Sequence, residues 1–140
     1  DTLVRFNYLP TLRAELALRQ GNAPGALEAL RAALPYELGR TTYSDPHWTS
    51  LYPVYVRGEA HLAAHQGNKA AAEFQKILDH PGIVINEPIG ALARLQIARA
   101  FAMQGDTTKA KSAYQDSSPC GRTPTRTFRS WSRPRPSTAS

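Results

Sequence analysis

The sequence predicts an all-α chain: three helix–turn–helix hairpins packed side by side, the last one truncated, followed by a disordered C-terminal tail. Three observations point there. Ala/Leu-rich stretches with helical spacing alternate with turn signals from residue 1 to 116. One pattern of small and large residues recurs around three corners. The composition then changes abruptly at residue 117.

The elements follow in order. Leu9, Leu12, Ala14, Leu16 and Ala17 recur at helical spacing, and Gln20-Gly21-Asn22 ends that run, giving a first helix over about 6–20. Pro24 suits the first turn of a second helix, which carries Ala26, Leu27, Leu30, Ala33 and Leu34 until Pro35 stops it. Residues 36–49 read as a long loop. A third helix runs from about Leu51 to His65, and a fourth from about Lys69 to Asp79, ending before His80-Pro81-Gly82. A second loop, Ile83 to Glu87, leads through Pro88 into a fifth helix that ends near Gln104-Gly105. Asp106 or Thr107 can cap a sixth helix, which begins at Thr108 and reaches the tail after one or two turns. The three hairpins thus span about 6–35, 50–80 and 88–116.

The corners align at Gly21, His65 and Gly105. Seven residues before each comes a small residue: Ala14, Gly58, Ala98. Five after each comes an alanine, Ala26, Ala70, Ala110, and four later a large residue, Leu30, Phe74, Tyr114. Ala17, His61 and Phe101 share a further position. The pattern has a steric reason. Two helices in a tight antiparallel hairpin need small residues where their axes approach, and large residues fill the gap to the next hairpin. This grammar resembles the tetratricopeptide repeat, which implies a short right-handed α-solenoid. The third unit is the most specific, with Ala98, Phe101, Gly105, Asp106, Ala110 and Tyr114 in place. The second has His65 where the family prefers glycine. Corners lie 44 and then 40 residues apart, against about 34 in the family, and the two loops account for the excess.

A narrower resemblance rests on three phrases: Tyr55-Val56-Arg57-Gly58-Glu59-Ala60, Ala72-Glu73-Phe74-Gln75-Lys76-Ile77-Leu78-Asp79-His80 and Asn86-Glu87-Pro88-Ile89-Gly90-Ala91-Leu92-Ala93. They look like the C-terminal repeat region of large bacterial serine/threonine protein kinases, a region also found behind the DNA-binding domain of some winged-helix regulators. The resemblance implies a non-catalytic fragment of a bacterial multidomain signalling protein, with a membrane-anchored parent among the arrangements it allows. No glycine-rich nucleotide loop, His-Arg-Asp loop or Asp-Phe-Gly motif occurs in the chain. The start without Met, and a first hairpin without a cap before it, lead us to expect a piece of a longer array. The resemblance also implies a groove on the first helices that takes a protein or peptide ligand, with Arg13, Tyr55, Arg57, Arg94 and Gln96 as its candidate residues.

The tail stands apart. Residues 1–116 hold 12 Lys+Arg against 11 Asp+Glu, whereas residues 117–140 hold five Arg (Arg122, Arg126, Arg129, Arg133, Arg135) and no acid. The net charge of +6 therefore sits almost wholly in the tail. The tail has no Leu, Ile, Val or Met, so it cannot bury enough apolar surface to offset chain entropy. The family continues after the Tyr114-Gln115-Asp116 phrase with a helix. One codon choice for Ser117–Ser140, with a single T inserted after the Asp116 codon, reads FLTLWKDADPDIPILEQAKAEYGE and restores it. We therefore expect residues 117–140 to be out of frame. We also expect a frayed, aggregation-prone end around Leu95, Phe101 and Tyr114.

Other chemistry finds little footing. His61 and His65 share a helical spacing that can chelate zinc, but no third ligand is indicated, so no metal site is assigned. Cys120 excludes an internal disulfide and has no activating base beside it. The Asp45-Pro46-His47-Trp48 loop brings a carboxylate and an imidazole close in sequence, which is not the geometry of a catalytic triad. Phe128 and Trp131 among arginines could stack on bases, which makes nucleic acid the minor alternative partner. No stretch approaches the roughly 18 apolar residues of a membrane span, so the segment is expected to be soluble. No cofactor is expected.

Overall fold

The computed structural model describes residues 2–39, 50–84 and 88–117. Every regular element among them is helical. A π-wound stretch, Val4–Tyr8, runs directly into α1 (Leu9–Arg19). Pro10 near the start of α1 lacks the N–H that an α-helix would use there, and the wider turns lie immediately upstream of it. α2 (Ala23–Leu30) closes through a 3₁₀ turn, Arg31–Ala33. Then come α3 (Tyr52–Ala63), α4 (Gly67–Leu78), a single turn α5 (Pro81–Val84), α6 (Pro88–Met103) and α7 (Thr107–Ser117). Two expectations need correction. The stretch after His80 is not all loop, because it winds into α5. The last helix does not stop after two turns, because α7 runs for 11 residues. The expected loop at 36–49 leaves the described residues at 40. Ser117, expected to open the disordered tail of 117–140, closes α7 instead. The Asp45-Pro46-His47-Trp48 segment, Cys120, Phe128, Trp131 and the rest of that tail lie outside the described residues as well.

Three corners carry one backbone solution. Gly21, His65 and Gly105 all adopt positive φ, at 73°, 56° and 77°. At each, the corner N–H donates to the carbonyl three residues back: Gly21 to Leu18, His65 to Leu62, Gly105 to Ala102. The next N–H donates five back: Asn22 to Ala17, Gln66 to His61, Asp106 to Phe101. These paired bonds satisfy the last helical carbonyls, which is the Schellman ending that favours glycine. His65 adopts it as a non-glycine residue, at a steric cost of about 1–2 kcal/mol. The next helix starts at once. Asn22 Oδ1 accepts from Gly25 N–H and Asp106 Oδ1 from Lys109 N–H, two side-chain caps. Gln66 makes no such cap, and its Oε1 lies 2.9 Å from His61 Nδ1.

The helices so joined pack as pairs, α1 with α2, α3 with α4 and α6 with α7. The second pair packs on the first through α3, and the third on the second through α6. Two apolar clusters hold these contacts. Ala14, Ala26, Leu30, Val56 and Ala60 form one. Leu51, Val54, Ala70, Phe74, Ile77, Val84, Ile89, Ala93, Ile97 and Ala100 form the other. The small-residue positions lie where the helices of a pair meet. A Cβ on Gly58 would sit 2.6 Å from the Phe74 ring, and Phe74 is fully buried. Ala98, the equivalent of Gly58, is also fully buried.

Gly58→Ala should therefore lower stability in urea unfolding by about 1–3 kcal/mol, although alanine is the better helix former. Shortening the ring as well, in Gly58→Ala with Phe74→Leu, should recover part of that loss. An unchanged midpoint for the single variant would remove the close-approach account.

Candidate functional site

Counting from its corner gives each residue of a first helix a position shared by all three pairs. Six residues before the corner stand Glu15, Glu59 and Arg99. Side chains around this row meet across α3 and α6, with Glu15 of α1 near enough to act on them through its charge. Gln96 Nε2 donates to the Tyr55 hydroxyl at 3.1 Å and to Glu59 Oε1 at 3.3 Å. Arg99 Nη1 donates to Gln96 Oε1 at 3.2 Å. Tyr55 also hydrogen-bonds Glu59, and Glu15 acts on Glu59 through its charge. Gln96 is buried, Glu15, Tyr55 and Glu59 are half-buried, and Arg99 is exposed.

The electrostatics of this face are unbalanced. Burial raises the Glu59 pKa above the usual glutamate value, the Glu15 charge raises it further, and Tyr55, Arg99 and Gln96 hold it back. Burial likewise raises the Tyr55 pKa. Glu59 thus feels the negative charge of Glu15 and the positive charge of Arg99. Tyr55 anchors the face to the interior, because its ring meets Phe74 edge-on with centroids 5.5 Å apart.

A second polar cluster faces elsewhere. Arg57 Nη2 is held by the Glu37 carboxylate and lies 2.9 Å from Glu73 Oε2. Lys76 Nζ reaches both acids at 3.2 Å. Ser50 Oγ donates to the Glu37 carbonyl, and Asn7 Nδ2 donates to the Ser50 carbonyl. This network ties the turn after α2 to α3 and α4. Burial lowers the Arg57 pKa, but its hydrogen bonds to Glu73 and Glu37 outweigh that and leave it raised, so the guanidinium stays charged. Nε and Nη1 of Arg57 and Oδ1 of Asn7 are buried without a hydrogen-bond partner among the described residues.

The five candidate groove residues therefore part company. Tyr55 and Gln96 come together on the first-helix face. Arg57 does not line it, since it is buried in the ion network on another face of α3. Arg13 is exposed on α1 away from the cluster, and Arg94 lines a separate groove between α4, α6 and α7 with Gln75, Phe101 and Lys109. Sequence reasoning missed Glu15, Glu59 and Arg99, although the corner alignment already placed them in one row. Among the described residues, no group of three or more His, Cys, Asp or Glu side chains could hold a metal ion. No helix of the described residues is long and apolar enough to cross a membrane. The chain matches no family model, no curated protein and no solved structure.

The raised Glu59 pKa has a pH signature. The folded state binds this proton more tightly than the unfolded chain, so the charged carboxylate detracts from stability above the folded pKa. That loss disappears as pH falls towards the ordinary value of 4.5. Glu59→Gln should therefore be more stable than the parent at neutral pH, with the gap closing as pH falls through that window. A gap independent of pH, followed by thermal unfolding across the range, would contradict the assignment.

Proposed function

We propose that this chain is a non-catalytic interaction module, a tetratricopeptide-like α-solenoid whose first helices bind a polypeptide segment of another protein. The observation that carries this reading is the polar cluster of Tyr55, Glu59, Gln96 and Arg99 with Glu15 beside it, in which Glu15, Glu59 and Arg99 hold the same position on three first helices. Repeat modules bind through such a shared face, where each unit contributes the same few positions and sequence changes there set the ligand. The like charges of Glu15 and Glu59, close enough to raise the Glu59 pKa, favour a ligand with a basic side chain opposite them. Tyr55 offers it an aromatic edge.

The three matching corners and the small-residue positions support the repeat reading. The phrases around Arg57, Phe74 and Pro88 support a parent similar to bacterial serine/threonine kinases with C-terminal repeats, or to a winged-helix regulator with the same region. The same reading takes the residues after Asp116 as out of frame. Independent DNA reads across the codons for Gln115 to Pro119 should recover one missing base, and an intact recorded frame in every read would sink that part.

Selection from a random-peptide display library tests the binding reading. Enriched peptides should carry Lys or Arg beside apolar residues. Glu15→Arg should weaken them at least about tenfold, equivalent to about 1.4 kcal/mol. Removal of residues 118–140 should leave their binding intact. Enrichment of no peptide, or binding indifferent to Glu15 and Glu59, would defeat the proposal.

A further inference from the structure

The corner register also shows what each first helix buries. Twelve, nine and five residues before the corner stand Pro53, Val56 and Ala60 in the second pair, and Ala93, Gln96 and Ala100 in the third. All six are buried. Val56 and Ala60 pack with Ala14, Ala26 and Leu30 of the preceding pair, and Ala93 and Ala100 with Ala70, Phe74 and Ile77 of theirs. These positions are therefore the seat of the preceding pair. In the first pair they hold Leu9, Leu12 and Leu16, and here they are open, with Leu12 and Leu16 each 60% exposed.

The far end carries the other half of the same contact. Nine residues after the corner, Leu30 and Phe74 are fully buried, whereas Tyr114 in the third pair is 41% exposed. Tyr114 lines an open groove with Ala102, Thr107, Ala110, Lys111 and Gln115. One end thus presents a leucine stripe at positions that elsewhere pack on a preceding pair. The other end presents a groove at the position that elsewhere receives a following first helix. Among the described residues this contact is made twice, and one half of it stays exposed on α1 and the other on α7.

We propose that these two ends join between copies of this chain: α1, through Leu9, Leu12 and Leu16, seats in the α6–α7 groove of a second copy and continues the register of the helix pairs. The contact is heterologous, so each added copy leaves one stripe and one groove free, and association does not close at a dimer. Burying three leucines on a mostly apolar floor supplies the driving force, as it does between the pairs within the chain. This inference rests on the corner register alone and is independent of the proposed peptide face.

Sedimentation velocity of the full chain over a concentration series tests it. The weight-average mass should rise from the monomer value of 15.4 kDa without a plateau at twice that mass. Leu12→Glu with Leu16→Glu should abolish the rise, and so should Tyr114→Asp. Ala102→Arg fills the same groove from an exposed position and serves if the Tyr114 variant loses helix by circular dichroism. A mixture of the α1 variant with a groove variant should form a 1:1 complex and nothing larger, because each supplies the half that the other lacks. A parent chain that stays monomeric throughout overturns the proposal and leaves the stripe to a helix pair of a longer polypeptide. Variants that associate like the parent, or a mixture that fails to pair, overturn it equally.

Discussion

The close approach of α3 and α4 is the constraint on which the rest of the arrangement depends. Phe74 lies where any side chain on Gly58 would stand, so the two axes come together only because that position is empty. The same ring is the largest fully buried side chain among the described residues, meets Tyr55 edge-on, and sits among the residues that receive α6. Loss of that contact loosens three things together: the pair itself, the seat of the next pair, and the aromatic support of the first-helix face. The corners add the second half of the constraint. A left-handed residue followed at once by a helix N-terminus gives each pair the same short connection, so residues at equal distance from their corners perform equal tasks.

That equivalence explains why α3 carries two polar clusters of opposite character. Tyr55 and Glu59 are one helical turn apart and share a face, whereas Arg57 between them points about 200° away. The first face meets α6 and shares its polar groups with Gln96. The second meets Glu37 and Glu73 and is closed to solvent. A buried ion network of this kind contributes little net stability compared with apolar packing, yet removal of one partner is expensive, since the remaining charges stay buried. Its consequence is registration: it fixes the turn after α2 against the second pair. Arg13 occupies the Arg57 position in the first pair and is exposed.

Much of this was legible in the residues. Prolines at helix starts, glycines at two corners and alternating Ala/Leu stretches located the six main helices to within a few residues, because those signals act locally on the backbone. The corner alignment marked Gly58 as a close-approach position and Phe74 as a filler of the gap between pairs, and it did not foresee that the Phe74 ring stands against Gly58 within one pair. What stayed hidden depended on long-range company. Arg57 reads as a groove residue until Glu37, 20 residues earlier in an irregular turn, is seen to hold it. Leu9, Leu12 and Leu16 read with Ala14 and Ala17 as one apolar run, whereas Ala14 is fully buried and the three leucines are outward. Periodicity counts apolar residues but does not say which face finds a neighbour. Glu15, Glu59 and Arg99 were missed for the converse reason, since charges at regular spacing look like any solvated helix surface.

The central claim is that three helix pairs share one register and support one another through neighbour contacts. Residue-resolved amide hydrogen exchange under native conditions tests it most directly. The informative amides are those of Asn22, Gln66 and Asp106, which close the corners, and of Ala26, Ala70 and Ala110, which start each second helix. All six should be protected, and Gln66 and Ala70 should exchange slowest, because the middle pair is packed on both sides while the outer pairs are open on one. Fast exchange at Gln66 and Ala70 with protection at the ends, or three pairs opening with no dependence on their neighbours, would contradict it.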